Sequence, residues 1–212
     1  LGRVGILFSG KMNDKLYKEN LSRRIYSSLA IEDSKISLEE VRRIILGESS
    51  DYSDLRIVKN LYNLYNMSFR LNIYSVNDLL FSHKMLMDGF NIESTELRED
   101  KVLSTDNRIF KNDSIPSRFV PGAIRDIFDW YNMSELHPLI KSTIVYFELE
   151  VLEPFRDGSG IISRLWFDLM LCKWKDVFSY IAVEEELYKR ISEYKALIYS
   201  MMWNCNSFIE FT

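Results

Sequence analysis

Leu152-Glu153-Pro154-Phe155-Arg156-Asp157-Gly158-Ser159-Gly160-Ile161-Ile162-Ser163-Arg164 is the stretch that decides the fold. An apolar helix pattern runs into Glu153-Pro154-Phe155. A tight Asp157-Gly158-Ser159-Gly160 loop follows, and a second helix pattern begins at once. Glycines let backbone N–H groups approach a phosphate, and a helix N-terminus behind them adds the positive end of its dipole. Arg164, one turn into the second helix, adds a fork of donors. The pattern is that of an anion-binding loop between two helices.

The bulk properties fit such a protein. The 212 residues suffice for one domain with a substantial core, and a 47% hydrophobic content excludes a disordered chain. A net charge of -4 argues against a general nucleic-acid or anionic-membrane surface, while leaving room for a local basic pocket. Two cysteines, Cys172 and Cys205, make no disulfide framework, and no Cys/His cluster suggests zinc. A reducing cytoplasm is the expected compartment. No apolar run approaches the ~18 residues needed to cross a bilayer. The apolar start, Leu1-Gly2-Arg3-Val4-Gly5-Ile6-Leu7-Phe8, is short and lacks a basic leading segment, so it does not read as a signal peptide. The absent initiator Met leaves open a fragment of a longer protein.

Only 8 Gly and 4 Pro punctuate the chain, which suits a mostly helical protein. Asn13 or Asp14 is expected to cap a helix running to about Ala30 or Ile31. Ser37-Leu38-Glu39-Glu40 is a capping box for a short helix ending at Gly47. Asp54 to about Leu71 carries apolar residues at helical spacing, and Ser75 is expected to cap a helix ending near Gly89. The alternation over 101–111 around Asp106-Asn107 predicts a β-hairpin. Pro116 and Pro121 bracket a helix through Asn132. Ser134 is expected to cap a long helix to Leu152, Gly160–Trp174 to form the helix after the loop, and Glu184–Trp203 a final helix.

The loop resembles the signature of the Fic family, His-x-Phe-x-Asp/Glu-Gly-Asn-Gly-Arg-x-x-Arg. His137-Pro138-Leu139-Ile140 is similar to the family's His-Pro-Leu/Phe-Ile, and Leu97-Arg98 resembles the start of its flap. Ser28-Leu29-Ala30-Ile31-Glu32-Asp33 resembles the inhibitory motif Ser/Thr-x-x-x-Glu-Gly/Asn of members that inhibit themselves from the N-terminal side. The resemblance spans roughly residues 20 to 200. It implies an all-α helical domain with a small β-hairpin flap, arranged as an N-terminal helical region with the inhibitory-type motif over 1–50 and a Fic-like core over 51–212, packed together. It implies transfer of AMP from ATP to protein hydroxyls, with Mg²⁺ on the phosphates. By carry-over, Asp157 is the metal residue. Gly158, Ser159, Gly160 and Arg164 hold phosphate, and Ser28 and Glu32 inhibit. The partners would be nucleotide and a target protein; a homo-oligomer stays open.

Three departures bear on activity. Glu153 stands where the family has its catalytic His, Ser159 replaces Asn, and Ile161 replaces the first Arg. A Glu pKa near ~4.3 makes a weaker base at neutral pH than a His near ~6.5. Its charge also opposes a phosphate, by about 4 kcal/mol at about 4 Å and an effective dielectric near 20. The expectation is a degenerate Fic protein with weak or no AMP transfer. The alternatives are a non-catalytic interaction module on the same fold, or a transferase with another base or donor. Taken alone, each residue has a plainer reading. Asp157 would cap a helix, Gly158 and Gly160 would permit a tight turn, and Arg164 would be a surface cation. Glu153 would be an exposed helix-end carboxylate and Glu32 a solvated helix residue. His137 would serve a helix start, and His83 would lie on a helix face.

Overall fold

The structure, a computed structural model, describes residues 14–47, 55–90, 97–98, 115–200 and 206–211. The chain folds into helices α1 (Asp14–Ile31), α2 (Leu38–Ile45), α3 (Arg56–Met67), α4 (Val76–Leu86) and α5 (Val120–Met133). There follow α6 (Pro138–Leu152), α7 (Ser159–Trp174), α8 (Val183–Lys189), α9 (Ile191–Ser200) and α10 (Asn206–Phe211). Short 3₁₀ turns cover Ser68–Arg70, Ser117–Phe119 and Asp176–Tyr180. The expected all-α architecture is present. The hairpin expected over 101–111 lies outside the described residues. Among the described residues the extended pairing is one isolated antiparallel bridge, Leu97 to Phe155. No helix among them is long and apolar enough to cross a membrane.

Local chemistry sets most helix ends. Ser37 Oγ accepts the Glu40 N–H at 3.3 Å and Glu40 Oε2 accepts the Ser37 N–H at 2.7 Å, so the capping box of α2 closes in both directions. Ser75 Oγ accepts the Asp78 N–H at 3.2 Å and starts α4. Two expected boundaries differ. Ser134 does not cap α6; its Oγ accepts the Leu136 N–H at 3.3 Å in the preceding turn. Pro138 is the first residue of α6, and it holds His137 extended at φ -55°, ψ 136°. A helix cannot grow backwards through that geometry. The cap is His137, whose Nδ1 accepts the Leu139 N–H at 3.3 Å. The single helix expected over Glu184–Trp203 is broken at Arg190, at φ -107°. There the Arg190 guanidinium lies 3.9 Å from the centre of the Phe211 ring, and its Nη1 donates to the Phe211 carbonyl at 3.1 Å. That tertiary contact holds the bend against helix propensity.

α7 is the axis of the fold. Every residue from Ile161 to Leu171 is buried, which marks a helix surrounded on all sides. α6, α1, α4 and the Asp176–Tyr180 turn pack around it. One apolar cluster gathers Leu21, Ile25, Leu61, Ile124, Val145, Leu149 and Trp166. A second gathers Tyr146, Phe147, Phe167 and Phe208. Trp166 Nε1 donates to the Ile73 carbonyl at 3.1 Å, so its buried polar atom is satisfied. The seam between α1 and α7 is ionic. Arg24 pairs with Asp168 near one end, and Arg164 faces Ser28 and Glu32 near the other.

Candidate functional site

The loop begins where α6 is forced to stop. Glu153 is in the left-handed region, at φ 42°, ψ 65°, and its N–H still reaches the Leu149 carbonyl at 3.1 Å. Arg98 clamps this end. Its Nε donates to the Glu153 carbonyl at 2.9 Å, its Nη2 to the Leu152 carbonyl at 3.4 Å, and its backbone N–H to the Pro154 carbonyl at 3.0 Å. A guanidinium on the last carbonyls of a helix satisfies orphan acceptors and the negative end of the dipole together.

Phe155 then anchors the loop. It is buried and stacks on His83 of α4, with ring centres 3.7 Å apart and planes 2° from parallel. His83 Nε2 lies 2.8 Å from the Asp157 carbonyl; a carbonyl only accepts, so Nε2 carries the proton. Gly158 follows at φ 75°, a conformation that favours glycine, and no side chain caps α7 there. Gly158, and not Asp157, thus occupies the N-cap position of α7. Ser159 Oγ donates to the Phe155 carbonyl at 2.9 Å and accepts its N–H at 2.8 Å. The Ser159 hydroxyl is thus committed to the loop's own backbone.

Arg164 is no surface cation: it is 1% exposed. Its Nε donates to Ser28 Oγ at 3.0 Å and its Nη2 to the Ser28 carbonyl at 3.1 Å. The same Nη2 lies 2.6 Å from Glu32 Oε1, so Glu32 and Arg164 form an ion pair. Burial alone would lower the Arg164 pKa; Glu32 and Glu150 outweigh it and hold the group well above its ordinary value. The Glu32 carboxylate also occupies the mouth of the loop, because a Cβ added at Gly160 would collide with Glu32 Oε1. A carboxylate at the N-terminus of α7 takes the electrostatic position that a phosphate would take. In this conformation the cradle does not fit a phosphate unless Glu32 leaves.

The remaining site positions separate. Ile161 is 7% exposed and belongs to the apolar core, so this position offers no cation to an anion. Glu153 and Asp157 are half-buried at the two ends of the loop. Among the described residues no group of three or more His, Cys, Asp or Glu side chains is placed to hold a metal ion. A cavity of about 330 Å³ lies at the other end of the α1–α7 seam, against Arg24, Tyr65, Asp168 and Cys172, and no loop residue lines it.

The roles of three contributors go beyond the sequence reading. Glu150 of α6 accepts from Ser163 Oγ at 2.6 Å and lies 3.7 Å from Arg164 Nη1. Burial pushes its pKa up to about 7, against the lowering effect of Arg164. His83 carries the Phe155 stack, and Arg98 clamps the α6 end. For Glu150 a signal existed: it is a charged residue on a helix whose other faces are largely apolar. Arg98 was marked only as the start of a flap and His83 only as a helix-face residue, since their roles in the loop depend on which segments meet.

The site is thus a glycine loop heading the buried helix α7, with a buried arginine one turn in. Residues 73–171 of the chain match the Fic/DOC family. A probable protein adenylyltransferase of Aquifex aeolicus is 27% identical over 153 residues, 68% of this chain and 45% of that protein. Protein adenylyltransferase fic-1 of Caenorhabditis elegans is 21% identical over 173 residues, 75% of this chain and 33% of its own. This chain therefore spans less than half the length of these curated relatives. The crystal structure of a Fic family protein from Desulfovibrio desulfuricans superposes with a TM-score of 0.86 at 27% identity, over 99% of this chain and 67% of that one.

Proposed function

We propose that the chain is a phosphate-binding Fic-fold protein held closed by its N-terminal helix, with AMP transfer to protein hydroxyls weak or absent. The observation that carries this reading is the Glu32 carboxylate seated between Arg164 and Gly160. It uses donors that a nucleotide phosphate needs, so binding requires Glu32 to withdraw. Ser28 fixes the other edge of the same guanidinium. On this reading Ser28 and Glu32 are inhibitory, and Gly158, Gly160 and Arg164 are the phosphate cradle. ATP is the nucleotide, and a metal would arrive on its phosphates beside Asp157. A free thiol, Cys172, supports a reducing cytoplasm.

The weak transfer follows from Glu153. A carboxylate is ionised but feebly basic at neutral pH, and loss of a general base typically removes ~10²–10⁴-fold in rate. The test is calorimetric titration with ATP–Mg²⁺. The Glu32→Gly variant should bind at least about tenfold more tightly than the native chain, the change expected when a competing charge-assisted contact is removed. Unchanged affinity would sink the closed-site reading. Labelled ATP should leave both proteins unmarked, and Glu32→Gly/Glu153→His should become marked if the base alone is missing.

The second reading is a non-catalytic interaction module. The burial of Ile161 favours it, since that position has become part of the core. Complete failure of Glu32→Gly to bind ATP would choose this alternative.

A further inference from the structure

Arg164 has two carboxylate neighbours of very different freedom. The Glu32 side chain, just beyond α1, is 42% exposed, and it can return to water at little cost. Arg164 is 1% exposed and cannot follow. If Glu32 were its sole counter-charge, opening the site would strand a guanidinium in the interior, which is strongly unfavourable. Glu150 stands on the opposite side, 11% exposed, on the long helix α6. Its Oε1 is fixed by Ser163 Oγ at 2.6 Å and lies 3.7 Å from Arg164 Nη1, inside ion-pair range and outside hydrogen-bond range. Arg164 Nη1 is buried and has no hydrogen-bond partner, so it has capacity in reserve on the Glu150 side.

We propose that Glu150 is a positioning residue that keeps Arg164 paired and aimed at the loop when Glu32 withdraws, and that protonation of Glu150 tightens the loop's hold on a tetrahedral dianion. The inference rests on the phosphate-binding reading for its second half only. An ionised Glu150 offsets part of the Arg164 field; a neutral one leaves the full positive charge to the incoming anion. The groups facing Glu150 are Glu32 from the segment after α1, Tyr146 of its own helix, Ser163 and Arg164 of α7, and Tyr194 of α9. The two tyrosine hydroxyls hydrogen-bond each other at 2.8 Å. Burial pushes the Glu150 pKa up to about 7, so its charge changes in the neutral range. His83 of α4 lies against the Asp157 carbonyl.

Two measurements test this. The first needs no ligand: thermal unfolding at pH 8 of the native chain, Glu32→Gln, Glu150→Gln and the double variant. Either carboxylate alone suffices for Arg164, so the substitutions must be coupled. Glu150→Gln should lower the melting temperature by at least roughly 5 °C more in the Glu32→Gln background than in the native one. Equal shifts in both backgrounds would overturn the positioning role. The second follows the backbone amide signals of Gly158 and Gly160 during sulfate titration of Glu32→Gly, at pH 6 and pH 8. Sulfate remains a dianion throughout. Binding should be several-fold tighter at pH 6, up to about tenfold per pH unit. In Glu32→Gly/Glu150→Gln the two affinities should converge. A pH difference that survives Glu150→Gln, or none in its presence, would overturn the proton linkage. No sulfate binding at either pH would overturn the phosphate reading and the linkage with it, while the thermal cycle still decides the positioning role.

Discussion

Glu153 carries a conformational cost as well as a chemical one. A non-glycine residue in the left-handed region costs roughly 1–2 kcal/mol, and Glu153 occupies it at φ 42° because Pro154 forbids the helix from continuing. Arg98, which donates to the Glu153 carbonyl, helps to hold the residue there. Strain of this kind persists only when the surroundings impose it. Glu153→Gly should therefore raise unfolding free energy by about 1 kcal/mol, since glycine adopts the conformation without penalty. Urea unfolding is the measurement. A loss of stability would mean that the carboxylate's own contacts outweigh the backbone strain. At the same scale a Cβ at Gly160 would meet the Glu32 carboxylate, so a substitution there must push that side chain out of the loop.

The elements show how the loop is held from outside itself. α4 supplies His83, which is wholly buried and gives Phe155 a ring to stack on and the Asp157 carbonyl a donor. His83→Ala removes both, leaving a cavity and an unsatisfied buried carbonyl, and should cost ~2–4 kcal/mol. His83→Phe keeps the stack and loses the donor, so it should cost less than His83→Ala, about 1–2 kcal/mol. Chemical denaturation orders the three proteins; an undiminished His83→Ala would mean the loop stands without α4. Contacts of this type also mark the limit of reading from sequence. The Ser37 capping box and the helical spacing of α3 and α4 were legible because their causes lie within a few residues. The loop was legible for the same reason, through its glycines and Arg164. Ser134 misled because Pro138, four residues on, overrules it as a helix start. The break at Arg190 was invisible because its cause, Phe211, is distant in the chain. The meeting of Glu32 with Arg164, 132 residues apart, could be anticipated only through a family resemblance and not from spacing. Glu150 was passed over because burial, which makes its carboxyl unusual, is a property of packing.

For the whole molecule, α1 and α7 meet along an antiparallel seam with charge at both ends. Arg24 pairs with Asp168 and its Nη2 donates to the Ile181 carbonyl at 2.7 Å, while Arg164 faces Ser28, Glu32 and Glu150. Such groups make stability depend on pH, and the sign follows from Glu150. Its pKa is raised from 4.5 to about 7, with burial as the largest cause. Below about pH 4.5 the group is protonated in both folded and unfolded chains, and its contribution is fully present. As pH rises, the unfolded chain releases the proton first, because there the carboxyl sits in water. The folded chain retains it, so folding is progressively disfavoured. The loss accumulates until the folded group also ionises near pH 7, and it is constant above that. Its size is up to about 3 kcal/mol, a ceiling that relaxation of the partly wet site will reduce. Other carboxylates act oppositely: Arg42 holds Glu19 below its ordinary value, so its contribution is lost in acid. The raw profile mixes these effects, and the difference between the native chain and Glu150→Gln isolates one. That difference should drift in favour of the variant between about pH 4.5 and 7 and be flat on either side. Guanidinium titrations across that range measure it. A difference that runs the other way would show Glu150 ionised at low pH in the folded chain, with Arg164 and Ser163 outweighing its burial.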